Sequence, residues 1–175
     1  MKIYGSINNR FDENKYYNGS YGNLKDGTPC TIYLWSDRHA HEVIKVLSQE
    51  DVVIRKLKAT RIDGNGMSDS QTYLYESDPS FSTMRIRLKN GKWRQVETYL
   101  KDDYIKDAER IAERNPDKFP TVEAVLARWA ETFVDMGKLT PLQSQRFLEG
   151  EKIEKLGAQV NISFGIADEY YDYSF

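Results

Sequence analysis

The run Met84-Arg85-Ile86-Arg87-Leu88-Lys89-Asn90-Gly91-Lys92-Trp93-Arg94-Gln95-Val96 constrains this chain more than any other stretch. Asn-Gly suits a type I′ turn, which needs positive φ at both central residues, and it is the strongest short signal for a β-hairpin. A two-residue turn at Asn90-Gly91 sets Lys89 opposite Lys92, Leu88 opposite Trp93 and Arg87 opposite Arg94. Alternation then puts Met84, Ile86 and Leu88 on one face and Arg85, Arg87, Lys89, Lys92 and Arg94 on the other. Like charges directly opposite one another are destabilising, so the polar face calls for an anion over it. That anion is either an acidic segment of the same chain or a partner.

The chain has 175 residues, enough for one domain, or one domain with an appendage, around a proper core. A hydrophobic fraction of 39% and a mean hydropathy of −0.69 fit a soluble protein with a modest core. Twelve Tyr and three Trp suit a β-rich core, and tyrosine is also frequent at interfaces. The net charge of −2 hides an asymmetry. Residues 1–100 hold 15 Lys+Arg against 12 Asp+Glu, whereas residues 101–175 hold 10 against 15. Such a layout permits self-complementation as well as partner binding, and it is unlike that of a wholly basic nucleic-acid binder. Cys30 is the sole cysteine, which rules out an intramolecular disulfide and fits a reducing compartment. With no hydrophobic leader in Met-Lys-Ile-Tyr-Gly-Ser and no apolar run of bilayer length, a cytoplasmic protein without membrane association is expected.

The first hundred residues read as short strands punctuated by turns. Strands are expected over 3–7, 30–35, 42–47, 52–57 and 71–76, with a loop over 12–23 and turns at 25–29, 36–38, 63–66 and 78–80. From Asp102 the period becomes helical: Tyr104, Ile105, Ala108, Ile111 and Ala112 share a face until Asn115-Pro116. Thr121 caps a second helix whose Val122, Val125, Leu126, Trp129 and Phe133 form a stripe expected to pack. Thr140, Pro141 and Gln143 form a capping box with proline in the first turn, opening a third helix that ends near Gly150. Residues 160–166 return to strand character. The expectation is an α+β protein: a small antiparallel β-barrel or sandwich over 1–100, a helical insertion of about three helices over 101–155, and a final strand with an acidic tyrosine-rich tail over 156–175.

No residue set identifies a reaction. His39 and His41 lie two apart beside Glu42, and with Cys30 or a carboxylate they are the one metal or Cys/His combination available. No second ligand cluster stands at a recognised spacing, so polar residues at a turn-to-strand junction is the preferred reading, with no metal and no cofactor expected. Asp63-Gly64-Asn65-Gly66 with Asp69 lacks the ligand order of a calcium loop, and no helix follows it to cradle phosphate. Asp102 and Asp103 have a sufficient role at a helix start. Two binding features remain. One is the basic face, with Trp35, Trp93 or tyrosines as stacking partners for nucleic acid. The other is the strip Asp168, Glu169, Tyr170, Tyr171, Asp172 and Tyr173, which either neutralises that face or offers carboxylates to a partner.

Several stretches together resemble a widespread group of small uncharacterised proteins of tailed bacteriophages and prophages. They are Trp35-Ser36-Asp37-Arg38-His39-Ala40, Lys58-Ala59-Thr60-Arg61, Gly66-Met67-Ser68-Asp69-Ser70-Gln71-Thr72-Tyr73, Tyr75-Glu76 with Asp78-Pro79, Gly91-Lys92-Trp93-Arg94, Phe164-Gly165, and the closing Glu169-Tyr170-Tyr171-Asp172-Tyr173-Ser174-Phe175. The likeness covers most of 24–96 and the last dozen residues. Members pass almost directly from the hairpin to the terminal motif, which implies that 101–155 is an insertion. The resemblance implies a mobile-element origin and a bacterial host cytoplasm, and it carries over no catalytic residue. The expected function is that of a non-catalytic phage accessory protein binding a host protein or protein–nucleic acid complex, such as an anti-CRISPR inhibitor of a defence nuclease. The alternative is a small β-barrel that binds nucleic acid through residues 85–94.

Overall fold

A computed structural model describes residues 4–5 and 23–173. The strands are β1 (Tyr4–Gly5), β2 (Pro29–Tyr33), β3 (Arg38–Ser48), β4 (Asp51–Arg61), β5 (Thr72–Ser77), β6 (Thr83–Lys89), β7 (Lys92–Tyr99), β8 (Ile153–Gln159) and β9 (Ile162–Phe164). Between β7 and β8 come α1 (Lys101–Arg114), α2 (Val122–Asp135) and α3 (Pro141–Leu148). The fold is α+β. The main sheet runs β8-β7-β6-β4-β3-β2-β9, with β5 paired to β4 and β1 to β5. Of the strand expected over 3–7, only β1 lies within the described residues, and most of the loop expected over 12–23 lies outside them.

The hairpin forms as its turn chemistry dictates. Asn90 and Gly91 have φ of 52° and 71°. Lys89 pairs with Lys92, Leu88 with Trp93 and Arg87 with Arg94. Ile86 and Trp93 go into the sheet's core with Cys30, Val43, Val52, Ile54 and Phe164, and Trp93 packs on Phe164 at 5.2 Å between ring centroids. Trp93 is therefore a core residue and has no face left for stacking on a base.

Strand β4 is longer than its apolar run predicts because it serves two sets of neighbours. Residues 51–56 pair with β3 and 51–55 with β6, while 57–61 pair with β5. Beyond His41↔Lys56, β3 and β4 no longer pair. Strand β8 was invisible in the sequence because Ile153–Gln159 lacks clean alternation, with only Ile153 fully buried. Two strands therefore follow the helices, where one was expected. The link between them bonds on both sides: the Val160 amide donates to the Trp93 carbonyl at 2.9 Å, and the Tyr33 amide to the Asn161 carbonyl at 2.9 Å.

The chain divides into two compact units, one running to Val96 and resuming at Leu156, the other Glu97–Lys155. The second has its own aromatic core. Tyr104 meets Trp129, Phe133 and Phe147 edge-on at 5.9, 5.7 and 5.6 Å, so the α2 stripe is a packing face. The capping box at Thr140 and Gln143 is complete.

Replacing Gly91 by Ala keeps open space around the new methyl but strains a backbone at positive φ. The urea midpoint is expected to fall by the equivalent of about 1 kcal/mol with an unchanged denaturant slope.

Candidate functional site

The counter-charge for the basic face comes from Asp51, the first residue of β4, which pairs in register with Arg87. Its carboxylate accepts from Arg85 Nε at 2.8 Å and Nη2 at 2.7 Å, and from Arg87 Nε at 2.7 Å. Arg85 and then Arg87 hold the Asp51 carboxyl below the usual carboxylate range against the cost of burial. Arg94 Nη1 donates to the Gly157 carbonyl at 3.2 Å. Lys89 and Lys92 stand exposed beside the turn. The terminal strip, one of the two counter-charges the sequence offers for this face, does not cover it and docks elsewhere on the same unit.

Its docking place follows from the parting of β3 and β4. Strand β3 retains β2 on one side over 38–42, leaving Arg38–Ala40 in need of partners on the other. Tyr170 bridges Arg38, each residue's amide donating to the other's carbonyl at 3.0 Å. Glu169 Oε2 accepts the Ala40 amide at 2.8 Å, doing for that amide what a strand carbonyl would. Gln71 acts in the same way from the β5 side: its Nε2 donates to the Tyr171 carbonyl at 2.7 Å, and its Oε1 accepts the Tyr171 amide at 3.1 Å. Thr31 is fully buried and ties the strip's start, its hydroxyl donating to the Ile166 carbonyl and accepting the Asp168 amide.

The charges converge here as well. Glu169, only 2% exposed, has His39 Nδ1 at 3.0 Å and Lys56 Nζ at 3.6 Å. Its amide donates to the Tyr75 hydroxyl at 2.8 Å. Asp168 pairs with Arg38 at 2.5 Å, and the Arg38 guanidinium lies 4.9 Å over the Tyr170 ring. Burial, followed by the Asp168 charge, pushes the Tyr75 phenol up. The Tyr171 phenol is pushed up to about 12 by burial and by its hydrogen bond to Glu169. Farther along, the Asp172 amide donates to Asp37 Oδ1 at 2.9 Å, the Tyr170 hydroxyl to Asp69 at 2.8 Å, and Arg61 to the Tyr173 hydroxyl at 3.1 Å.

The remaining sequence candidates take structural positions. Cys30 sits opposite His41, but burial, with Glu42 nearby, pushes its thiol up, away from the thiolate a nucleophile needs. His41 Nδ1 lies 2.9 Å from the His39 carbonyl. Among the described residues no group of three His, Cys, Asp or Glu side chains is placed to hold a metal. Asp63 fixes its own loop, accepting from Arg61, Asn65 and Thr72, with Arg61 holding its carboxyl well below the usual range. Trp35, by contrast, is 101% exposed on the β2–β3 turn.

Sequence reasoning named the strip but missed Thr31, Arg38, Lys56, Gln71 and Tyr75, which receive it, and Asp51. The strip's partners lie about a hundred residues away in the chain, beyond any local pattern. No protein-family model, curated protein or solved structure matches the chain.

Glu169→Ala removes a buried carboxylate and orphans the Ala40 amide, so unfolding free energy should drop by about 3 kcal/mol in urea titrations. Glu169→Gln keeps an acceptor and should lose less. His41 supplies a pH signature, because burial lowers its pKa below 6.5. Its contribution is complete above the unfolded value and is lost as pH falls below 6.5 toward the folded value, where the unfolded chain takes up the proton first. Urea midpoints should therefore fall on acidification from neutrality, and less steeply in His41→Gln.

Proposed function

We propose that this protein acts by binding: it is a non-catalytic phage accessory protein that occupies the nucleic-acid groove of a host protein, an inhibitor of a bacterial defence nuclease in the anti-CRISPR manner. The observation that carries this reading is the way the terminal strip is held. Asp168 and Glu169 are buried and paired within the fold, which leaves Tyr171 and Tyr173, 36% and 39% exposed, as the strip's most exposed side chains, each partly held by the fold through Glu169 and Arg61. They project from backbone fixed by Gln71 and Asp37, so little conformational freedom remains to be lost on docking. Tyrosines on a rigid support, with Asp172 between them, make an amphipathic contact surface of the kind proteins use to bind one another.

We read the sheet itself as a small barrel. Among the described residues the end strands β8 and β9 are not paired and the sheet is open; in support of the reading, residues 160–161 between them bond to β7 through Val160 and to β2 through Asn161.

A second reading, nucleic-acid binding through the hairpin, is favoured by the exposed Lys89–Lys92 pair. Against it stands Asp51, whose charge offsets Arg85 and Arg87.

The tagged chain should retain a host protein that Tyr171→Ser/Tyr173→Ser releases at least tenfold more readily, with the variant's melting curve confirming its fold. Equal retention would overturn the assignment of the strip. In anisotropy titrations with single- and double-stranded oligonucleotides, no binding tighter than about 10⁻⁴ M is expected at low salt. Salt-sensitive binding that strengthens in Asp51→Asn and weakens in Lys89→Ala/Lys92→Ala would establish the second reading instead.

A further inference from the structure

We infer that Trp35, with Leu34, is the anchor of a docking surface for a protein whose apolar socket is rimmed by lysine or arginine. This inference rests on the binding role proposed above and adds the anchor residue and the partner's chemistry. Trp35 is 101% and Leu34 is 55% exposed, side by side at the β2–β3 turn. An indole gives up 150–250 Å² of contact when left in water, and tryptophan is the side chain most enriched among interface residues that dominate affinity.

The tip is held rigidly. The Leu34 amide donates to the Asp37 carbonyl at 2.9 Å, which closes the turn. Asp37 Oδ1 receives the Asp172 amide, and Arg38 bonds Tyr170 through both backbone groups. The turn that carries the indole is thus tied to the strip that carries Tyr171 and Tyr173, and its backbone is prearranged.

The charge around the tip selects the partner. Asp37 stands two residues from Trp35 and accepts the Asp172 backbone amide, and Asp69 accepts the Tyr170 hydroxyl. Asp37 and Asp69 thus put two carboxylates at this end, and the hydrogen bond to Asp69 pushes the Tyr170 phenol up. Among the described residues the guanidiniums here are engaged within the fold, Arg38 with Asp168, and Arg61 with Asp63 and the Tyr173 hydroxyl. A polyanion or an anionic bilayer is repelled by such a rim, and a cationic groove complements it.

The test places p-benzoylphenylalanine at position 35, 171 or 47 of the full chain, followed by irradiation in a lysate of bacterial cells. Leu47, an exposed apolar residue at the far end of β3, serves as control. The inference predicts one host protein crosslinked from 35 and 171 and not from 47, with adduct yield falling on addition of a DNA duplex or salt. Trp35→Ala should weaken that complex about 30-fold or more, with an unchanged melting curve. Crosslinking from 171 without 35 would overturn the anchor while leaving the binding role standing. An adduct with the mass of two chains, or a partner indifferent to duplex and salt, would overturn the partner chemistry. No host adduct from either 35 or 171 would remove both the inference and the binding role beneath it.

Discussion

Where β3 and β4 separate, past His41 and Lys56, the backbone of Arg38–Ala40 is left with one paired side. Buried amides and carbonyls without partners cost as much as lost hydrogen bonds, so that opening has to be filled. The terminal strip fills it, and unusually it does so mainly with side chains. Glu169 stands in for a carbonyl toward Ala40, Gln71 for both backbone groups of a neighbouring strand toward Tyr171, and Thr31 for a turn at the strip's start. The position of the Trp35 turn, the exposure of Tyr171 and Tyr173, and the burial of Asp168 and Glu169 all follow from this one repair.

Charge is handled with the same economy. The basic face of the hairpin needed an anion, and the nearest strand provides it: Asp51 lies in register with Arg87 and takes Arg85 in a two-pronged bond. Carboxylates at the other end of the sheet are thereby released from that task. Asp168 and Glu169 answer Arg38, His39 and Lys56 instead. Arg38, His39, Lys56, Asp168 and Glu169 are thus engaged with one another where the strip meets the sheet.

The helical unit obeys simpler rules. Its stops and starts are chemical, with Thr121 and Thr140 as caps and Pro141 in the first turn of α3. Its interior is a set of edge-on aromatic contacts centred on Tyr104 and Phe133. Period and capping residues act over three or four positions, which is why these helices could be placed from sequence.

Local sequence determined the hairpin and its register, the three helices, the turn role of Asp63, and the burial of the α2 stripe, because each depends on neighbours within a few residues. It also marked 168–173 as a unit of acid and tyrosine. It could not determine which carboxylate would neutralise the basic face, that Ile153–Gln159 would be a strand, or that Trp35 would face solvent while Trp93 would be enclosed. Those outcomes depend on which strands become neighbours. Asp51 reaches Arg85 across 34 residues and Glu169 reaches Ala40 across 129, and only the assembled sheet brings such groups within bonding distance.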